Sequence, residues 1–583
     1  MMLDLLIRNG TVIDGTGKAG TEANIGIENG RIAYLGPDQP EAEQVIDAAG
    51  RYVTPGFVDV HTHYDAQVMW DPNLDPHPRH GFTSIVLGNC GFGLAPINSE
   101  TAAYLVPMLS KVEAIPLETL RAGVDIDWSS MAEMLDRVEG HVAPNIAFGT
   151  GHSALRTMVM GERALTDKAS PEELAKMQAL LRESLEAGSI SFSSSHADTH
   201  RDHNGDPVPS LIADREELLA LASQVRNYEG THLGFVSSVG IMTEETKALV
   251  ADFALAGQRT VNWPLFVPGQ LPDELAEVQL STADYARARG AEVRVQCSSQ
   301  PQDVRINFKT GLGYDTYPGV FSELYKLPVP ARIERMKEPE TRQHMRVVLD
   351  EVAASANPVG IFAKLELFTV DVASHPDNAE FVGRKVVDIA EELGCSVLDA
   401  CLDIAIRDEL TTTFLVANFP EHTKEGWGLI ARSLADDRTL WAATDGGAHC
   451  DVLFGASHAT SFLSNAVRDH GVMPLEQAIH LFSQVPAEYI GVRDRGVIRE
   501  GAHADVLVID LDRLQTCPLE VRSDLPGNGM RLYADARGYD YVLVNGVPVV
   551  DHDEYTGAQP GTVLRRGRDT YTAAIPAARR EVA

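Results

Sequence analysis

The stretch "TPGFVDVHTHYDAQ", Thr54 to Gln67, decides how this chain is read. A Pro-Gly pair opens it, a short apolar run follows, and two histidines, His61 and His63, stand one residue apart at its end. The Pro-Gly pair punctuates the chain and the apolar run reads as a strand. A strand has a side-chain period of two. Both imidazoles therefore share one face, with Phe57 and Asp59 below them, and Val58, Val60 and Thr62 turn toward the other side. Two such histidines can hold a metal, or they can be hydrogen-bonded polar residues at a strand end. The residues around them have to decide.

Downstream, short apolar segments alternate with longer helical patterns. The strand candidates after "GFVDVHTH" are "FTSIVLGNC", "PNIAFGTGH", "AGSISFSSS", "YEGTHLGFVSS", "RTVNWPLF", "AEVRVQCSS" and "TLWAATDGG". Among the helices, "SPEELAKMQALLRESLEAG" has Ser170 as N-cap, Pro171 at the first helical position, Glu173 for a capping box and Gly188 as its stop. "DREELLALASQVRNYEG" opens and closes in a similar way. Alternating strands and helices imply a parallel α/β fold, and eight strands suit a (β/α)8 TIM-like barrel. An open doubly wound sheet is the rival, but no GxGxxG turn marks a nucleotide site. In a barrel, catalytic residues sit at the carboxyl ends of the strands, where His61 and His63 fall.

The two ends of the chain have another texture. "DLLIRNGTVIDG", "ANIGIENGRIAYLG" and "EQVIDAAGRYVTPG" alternate apolar and polar residues with Asn-Gly and Gly turns, and "GVIREGAHADVLVIDLD" and "YDYVLVNGVPVVDHDEYTG" repeat the pattern near the end. The economical division is a small β-sandwich domain from 1–55 plus 493–560 and a barrel over 56–492. The stretch 301–346 breaks the rhythm as an insertion or lid, and 561–583 form a tail.

Composition excludes several classes. The chain has 583 residues, 44% hydrophobic and 23% charged, as in an ordinary globular protein of more than one domain. A net charge of −34 argues against nucleic-acid partners, which need a basic surface, and no polybasic membrane anchor is present. No stretch approaches the roughly 18 apolar residues of a spanning helix. The amino terminus lacks the pattern of a signal peptide. The six cysteines form no CxxC pair, which argues against a disulfide framework. These features describe a cytoplasmic protein acting on a small molecule, and a homo-oligomer is compatible with them.

"PGFVDVHTHYDAQ", "LGNCGFGLAPI", "GTGHSALRTMVMG", "EAGSISFSSS", "ATDGGAHCD" and "RGVIREGAHADVLVID" occur in that order. Together they resemble the amidohydrolase superfamily and, within it, the D-aminoacylase group of N-acyl-D-amino-acid deacylases. The resemblance covers nearly the whole chain. It implies hydrolysis of a C–N bond outside peptides by metal-activated water, with one or two Zn2+ ions, another divalent metal being compatible.

The resemblance also assigns roles. Asp445 ends the run "LWAATD" before two glycines. Alone it is an ordinary turn or cap aspartate; the resemblance puts it beside the metal as the proton shuttle. Cys90, between Asn89 and Gly91 at a strand end, is placed where a thiolate ligates zinc. The fourth strand, "SISFSSS", lacks the lysine that bridges two metals in the dihydroorotase and hydantoinase type, which fits a deacylase-like site using Cys90. His232, preceded by Tyr228 and Thr231, corresponds to the fifth-strand ligand. The sixth strand departs from the pattern, with Asn262 and Trp263 where Ser and His are expected. That leaves the site one ligand short, or moves the metal toward His61, His63 and Asp445. His152 and His449 are candidate substrate contacts. Arg156 could grip a substrate carboxylate through its guanidinium fork, or form an ion pair at a helix start. His196, His200 and His203 belong to a loop. Two other readings stay open: cyclic-amide opening or heterocycle deamination at the same site, and a scaffold that has lost its metal.

Overall fold

Each of the eight apolar segments forms a strand in the computed structural model, which describes residues 2–238, 242–311, 313, 314, 317–354, 358–442 and 444–575. They are β1 (Phe57–Asp59), β2 (Phe82–Leu87), β3 (Asn145–Gly151), β4 (Ser191–Ser195), β5 (His232–Val236), β6 (Val261–Phe266), β7 (Val293–Cys297) and β8 (Thr439–Trp441). Neighbours in sequence are neighbours in one parallel sheet. The sheet closes on itself. Thr62, just beyond β1, bridges Gly446, just beyond β8, and the His63 N–H donates to the Gly446 carbonyl at 2.7 Å. This is the (β/α)8 barrel. The last eight residues of the expected tail, 576–583, lie outside the described residues.

The helices that matter for the site are α1 (Ser99–Val112), α2 (His152–Met160), α3 (Pro171–Ala187), α4 (Arg215–Val225), α5 (Glu244–Gly257), α6 (Leu475–Phe482) and α7 (Gln484–Ile490). The capping box at Ser170 and Glu173 starts α3, and Gly188 ends it at φ 128°, a backbone state that side chains disfavour. Helix α7 plugs the amino-terminal end of the barrel. Its Ala487, Tyr489 and Ile490 pack on Val58, Val60, Val86, Ala147, Leu440 and Ala442, and the Tyr489 hydroxyl donates to the Val261 carbonyl at 2.7 Å.

That cluster corrects the face assigned to the first strand. Partners in a parallel pair share a face. The Phe235 ring of β5 lies 4.9 Å from that of Phe253 on α5, so Phe235 points to the helices and His232, Gly234 and Val236 point inward. Following the pairs around the sheet places Ser193, Gly151, Ala147, Val86, Ser84 and finally Val58 inside. Phe57 instead packs on Phe482 of α6, and Asp59 contacts His77 and Thr444 on the outer side. Val58 and Val60 are therefore the interior residues, the reverse of the sequence expectation. Regular pairing ends at Asp59 and the chain bends at Val60. The bend, not the strand period, carries His61 and His63 to the mouth of the barrel.

A nine-stranded, largely antiparallel sheet holds strands from both ends of the chain. Tyr52–Pro55 pairs with Val506–Ile509, and Leu5, Ile7, Ile25, Ile27, Val506 and Leu543 share one apolar cluster. Between β7 and β8 a separate unit contains the strands Gln302–Ile306, Thr369–Val372 and Thr413–Phe419 and a cluster running from Ile306 to Val416. It is longer than the 301–346 expected. Its amphipathic helices Val386–Leu393 and Val397–Arg407 have the same apolar periodicity as barrel helices. The unit touches the loop after Asp445, with the Asn307 amide donating to the Asp451 carboxylate at 2.7 Å. All six cysteines are free. No described helix is long and apolar enough to cross a membrane.

Candidate metal centre

At the carboxyl end of the barrel, donor atoms of His61, His63 and Cys90 lie within 4.8 Å of one another. The His61 Nε2 is 3.2 Å from the Cys90 Sγ. The Asp445 Oδ1 lies 3.4 Å from the His61 Nε2 and 3.8 Å from the His63 Nε2. Each residue comes from a different place. The histidines follow β1, Cys90 follows β2 at φ 55°, and Asp445 follows β8 at φ 51°. Both histidines are buried, whereas the Asp445 side chain is 22% exposed and so can meet an incoming molecule.

The surroundings are acidic and dry. Glu113, which caps the carboxyl end of α1, is buried with its Oε1 3.3 Å from the His63 Nδ1. Burial drives its carboxyl well above the usual range, and the nearby Asp445 and Asp65 charges add to this. Asp65 is buried too and is pushed up to about 7, although the Gly88 N–H donates to it at 3.2 Å. Burial also lifts the Cys90 thiol, and Glu113, Asp445 and Asp65 lift it further. His63 is held well below the ordinary imidazole value by burial and by His61, His449 and His200. Desolvation lowers His61 as well, opposed by Asp445 and Asp59. A group of neutral imidazoles and a thiol amid buried carboxyls is a site in which a divalent cation stabilises the charged forms.

A sequence profile of the amidohydrolase family matches residues 44–550. The chain belongs to the amidohydrolase family. Its relatives include an uncharacterized protein of Mycobacterium tuberculosis, 30% identical over 87% of this chain and 84% of that one. An N-acyl-D-glutamate deacylase of Alcaligenes xylosoxydans xylosoxydans is 27% identical over 97% of each chain. A crystal structure of D-aminoacylase shares the fold, with a TM-score of 0.63 and 23% identity over 97% of this chain and 100% of that one.

In this amidohydrolase several residues singled out in the sequence stand away from the centre. His232 opens β5 level with Ser191. Gly91, next to Cys90, meets the barrel wall higher up, its N–H donating to the Ser193 Oγ at 2.9 Å. His232 therefore points inward but deeper, outside the group of three. It is neutral, pulled down to about 4 by burial, and its Nδ1 has no partner among the described residues. Its place follows from the strand continuing for four residues beyond it. On β6 it is Asn262 that faces inward, its Oδ1 near Gly234, while Trp263 is fully buried in the helix-side core.

Arg156 and His152 are engaged with protein partners. The guanidinium of Arg156 grips both carboxylate oxygens of Glu217 and donates to the Asp167 carbonyl at 2.8 Å. The His152 imidazole lies 2.9 Å from the Glu217 Oε1 and 2.8 Å from the Ser194 Oγ. The three side chains are buried behind β4. The Arg156 Nη1 alone meets Glu217, Nη2 donates to the Ala164 and Asp167 carbonyls, and Nε has no partner among the described residues. His449 does border the centre: its charge bears on His61 and His63, and its N–H donates to the Glu113 carbonyl at 2.5 Å. His200 is anchored 2.8 Å from the Ser195 Oγ and is lowered to about 4 by burial, His449 and His61. His196 packs its ring 5.4 Å from that of Phe235, and His203 is exposed. Sequence reasoning missed Glu113 and Asp65. Asp65 lies two residues past His63 inside the opening motif, and Glu113 is an acid set among Val112, Ala114 and Ile115.

Proposed function

We propose that this amidohydrolase removes the acyl group from N-acyl-D-amino acids, at a divalent metal held by His61, His63 and Cys90 with Asp445 beside it. The convergence of two imidazole nitrogens, a thiol sulfur and a carboxylate oxygen at the barrel mouth carries the reading. A thiolate with imidazoles suits Zn2+. The acidic groups that push the Cys90 thiol up favour a cation in their midst. Likeness to the N-acyl-D-glutamate deacylase along 97% of both chains supports the substrate class. The six free cysteines support a reducing, cytoplasmic setting.

When bound, the metal supplies Lewis acidity toward the acyl carbonyl and lowers the pKa of a water to about 7. Asp445, part-exposed and aimed at the two Nε2 atoms, accepts a proton from the attacking water. It returns that proton to the amine nitrogen as the C–N bond breaks, so a carboxylic acid and a free D-amino acid leave. His200, lowered to about 4 by burial, His449 and His61, stands beside the centre as a neutral imidazole.

The test pairs elemental analysis of the purified protein with hydrolysis of N-acetyl-D- and N-acetyl-L-amino acids. The expected result is bound metal and release of acetate from D substrates. Metal-bearing protein that opens cyclic amides and leaves every N-acetyl-D-amino acid intact would replace this reading with the other reaction.

A further inference from the structure

Glu113 has no place in the reaction just described, yet it joins three parts of the site. Its carboxyl sits at the end of α1, buried, 3.3 Å from the Nδ1 of His63. Its backbone carbonyl accepts the His449 N–H at 2.5 Å, which ties α1 to the segment that carries Asp445. A buried carboxyl away from water is costly unless another group uses it. The group within reach is the His63 nitrogen that points away from the centre, because the Nε2 of His63 faces Asp445.

We propose that Glu113 is a positioning residue that acts through His63, taking the Nδ1–H so that Nε2 is the lone pair offered to the metal. The inference rests on the metal reading above. An imidazole can present either nitrogen, and the partner of one decides which is left to ligate. A carboxylate behind a metal-bound histidine also makes the imidazole a better donor and adds a negative charge that a cation favours. Glu113 therefore raises the affinity of the centre for a divalent cation without touching it. His61 has no carboxylate behind it: its Nδ1 meets no partner at hydrogen-bond geometry among the described residues, and the neighbour that acts on its ring from the barrel wall is the neutral amide of Gln296. Loss of Glu113 should then fall on His63 alone.

The experiment titrates Co2+ into chelator-treated full-length protein and follows the near-ultraviolet charge-transfer absorption of a cobalt–thiolate bond from Cys90. Glu113→Gln is expected to weaken Co2+ binding about 10- to 100-fold. Glu113→Asp, which keeps the carboxyl but shortens it, should fall between Gln and wild type. In a His63→Ala background the Gln substitution should add less than about twofold, since coupled residues do not add. Wild-type affinity in Glu113→Gln with an unchanged spectrum overturns the proposal. So does an undiminished loss in the His63→Ala background, which would place the effect elsewhere. Circular dichroism of each variant separates loss of binding from loss of fold, and Glu113→Asp remains readable if the Gln variant unfolds. Wild-type protein that takes up no cobalt overturns the metal reading itself, an outcome distinct from a cobalt-binding protein indifferent to Glu113.

Discussion

Replacing Glu217 by Gln tests whether Arg156 is a structural cation or a substrate-binding one. The pair is out of water, with side-chain exposures of 0% for Arg156 and 4% for Glu217. The substituted amide would keep the volume and some hydrogen bonding but leave the guanidinium charge unbalanced. Removing one member of a buried pair costs about 3–5 kcal/mol. The carbonyls of Ala164 and Asp167 would still accept from the guanidinium, which places the expectation near the lower bound, about 3 kcal/mol. The assay is urea unfolding, read as a fall in midpoint at constant slope, together with KM for an N-acetyl-D-amino acid measured well below the transition. KM should stay at the wild-type value because neither side chain lines the centre. Replacing both at once, as Arg156→Met with Glu217→Leu, should recover most of the loss, since no charge is left unpaired. A Glu217→Gln protein of undiminished stability whose KM rises tenfold or more would refute the reasoning and return Arg156 to the substrate.

Three further outcomes follow from the same geometry. Asp445→Asn should lower kcat about 10²-fold or more while leaving metal content and KM near wild type, and near-full kcat would remove Asp445 from the proton path. Trp263→His should cost about 3 kcal/mol or more in urea unfolding, because it hollows the helix-side core and buries a polar ring; a gain in metal affinity would show that position 263 faces the centre after all. Burial holds His80 and His458 neutral, at about 3 and about 4 against an ordinary 6.5. The unfolded chain therefore binds the extra protons, so stability is full above pH 6.5 and drains as pH falls toward 4, by about 2 kcal/mol for each histidine at pH 5. A melting temperature that does not fall between pH 8 and 5, or a fall that His458→Gln leaves unchanged, would count against this.

The parts legible in the sequence were those set by local pattern. The eight strand segments could be read because each is a short apolar run set off by turns and followed by a helical period, and α3 could be read from its cap and its glycine stop. Which face of a strand points inward could not be read from β1 alone, since the answer depends on the pairing of Val58 with Ser84 and on the plug formed by α7. The choice between the two roles open to Arg156 could not be made from sequence for a related reason. Its ion-pair partner Glu217 is 61 residues away, and a paired guanidinium looks in sequence the same as an unpaired one. His232 was read on the right strand, and its height there could not be read because it depends on register with Ser191 rather than on its neighbours.

The centre itself is built where strand geometry stops. Cys90, Asp445 and His449 have φ values of 55°, 51° and 50°, in the left-handed region that non-glycine residues seldom enter. Each such residue costs about 1 kcal/mol or more and persists only where its surroundings hold it. Here they do. The His449 N–H is bonded to Glu113, and Thr62 and His63 clasp Gly446 on the other side of Asp445. The backbone cost is offset by bringing a sulfur and a carboxylate over the barrel mouth, toward two histidines that have themselves left the strand. On the proposed metal reading, donors aimed in this way need none from β5 or β6, where His232 lies deeper and Asn262 stands in place of the expected sixth-strand histidine. The departure at Asn262 and Trp263 leaves the group of His61, His63 and Cys90 intact, and on the proposed reading a metal would sit at the bent end of β1.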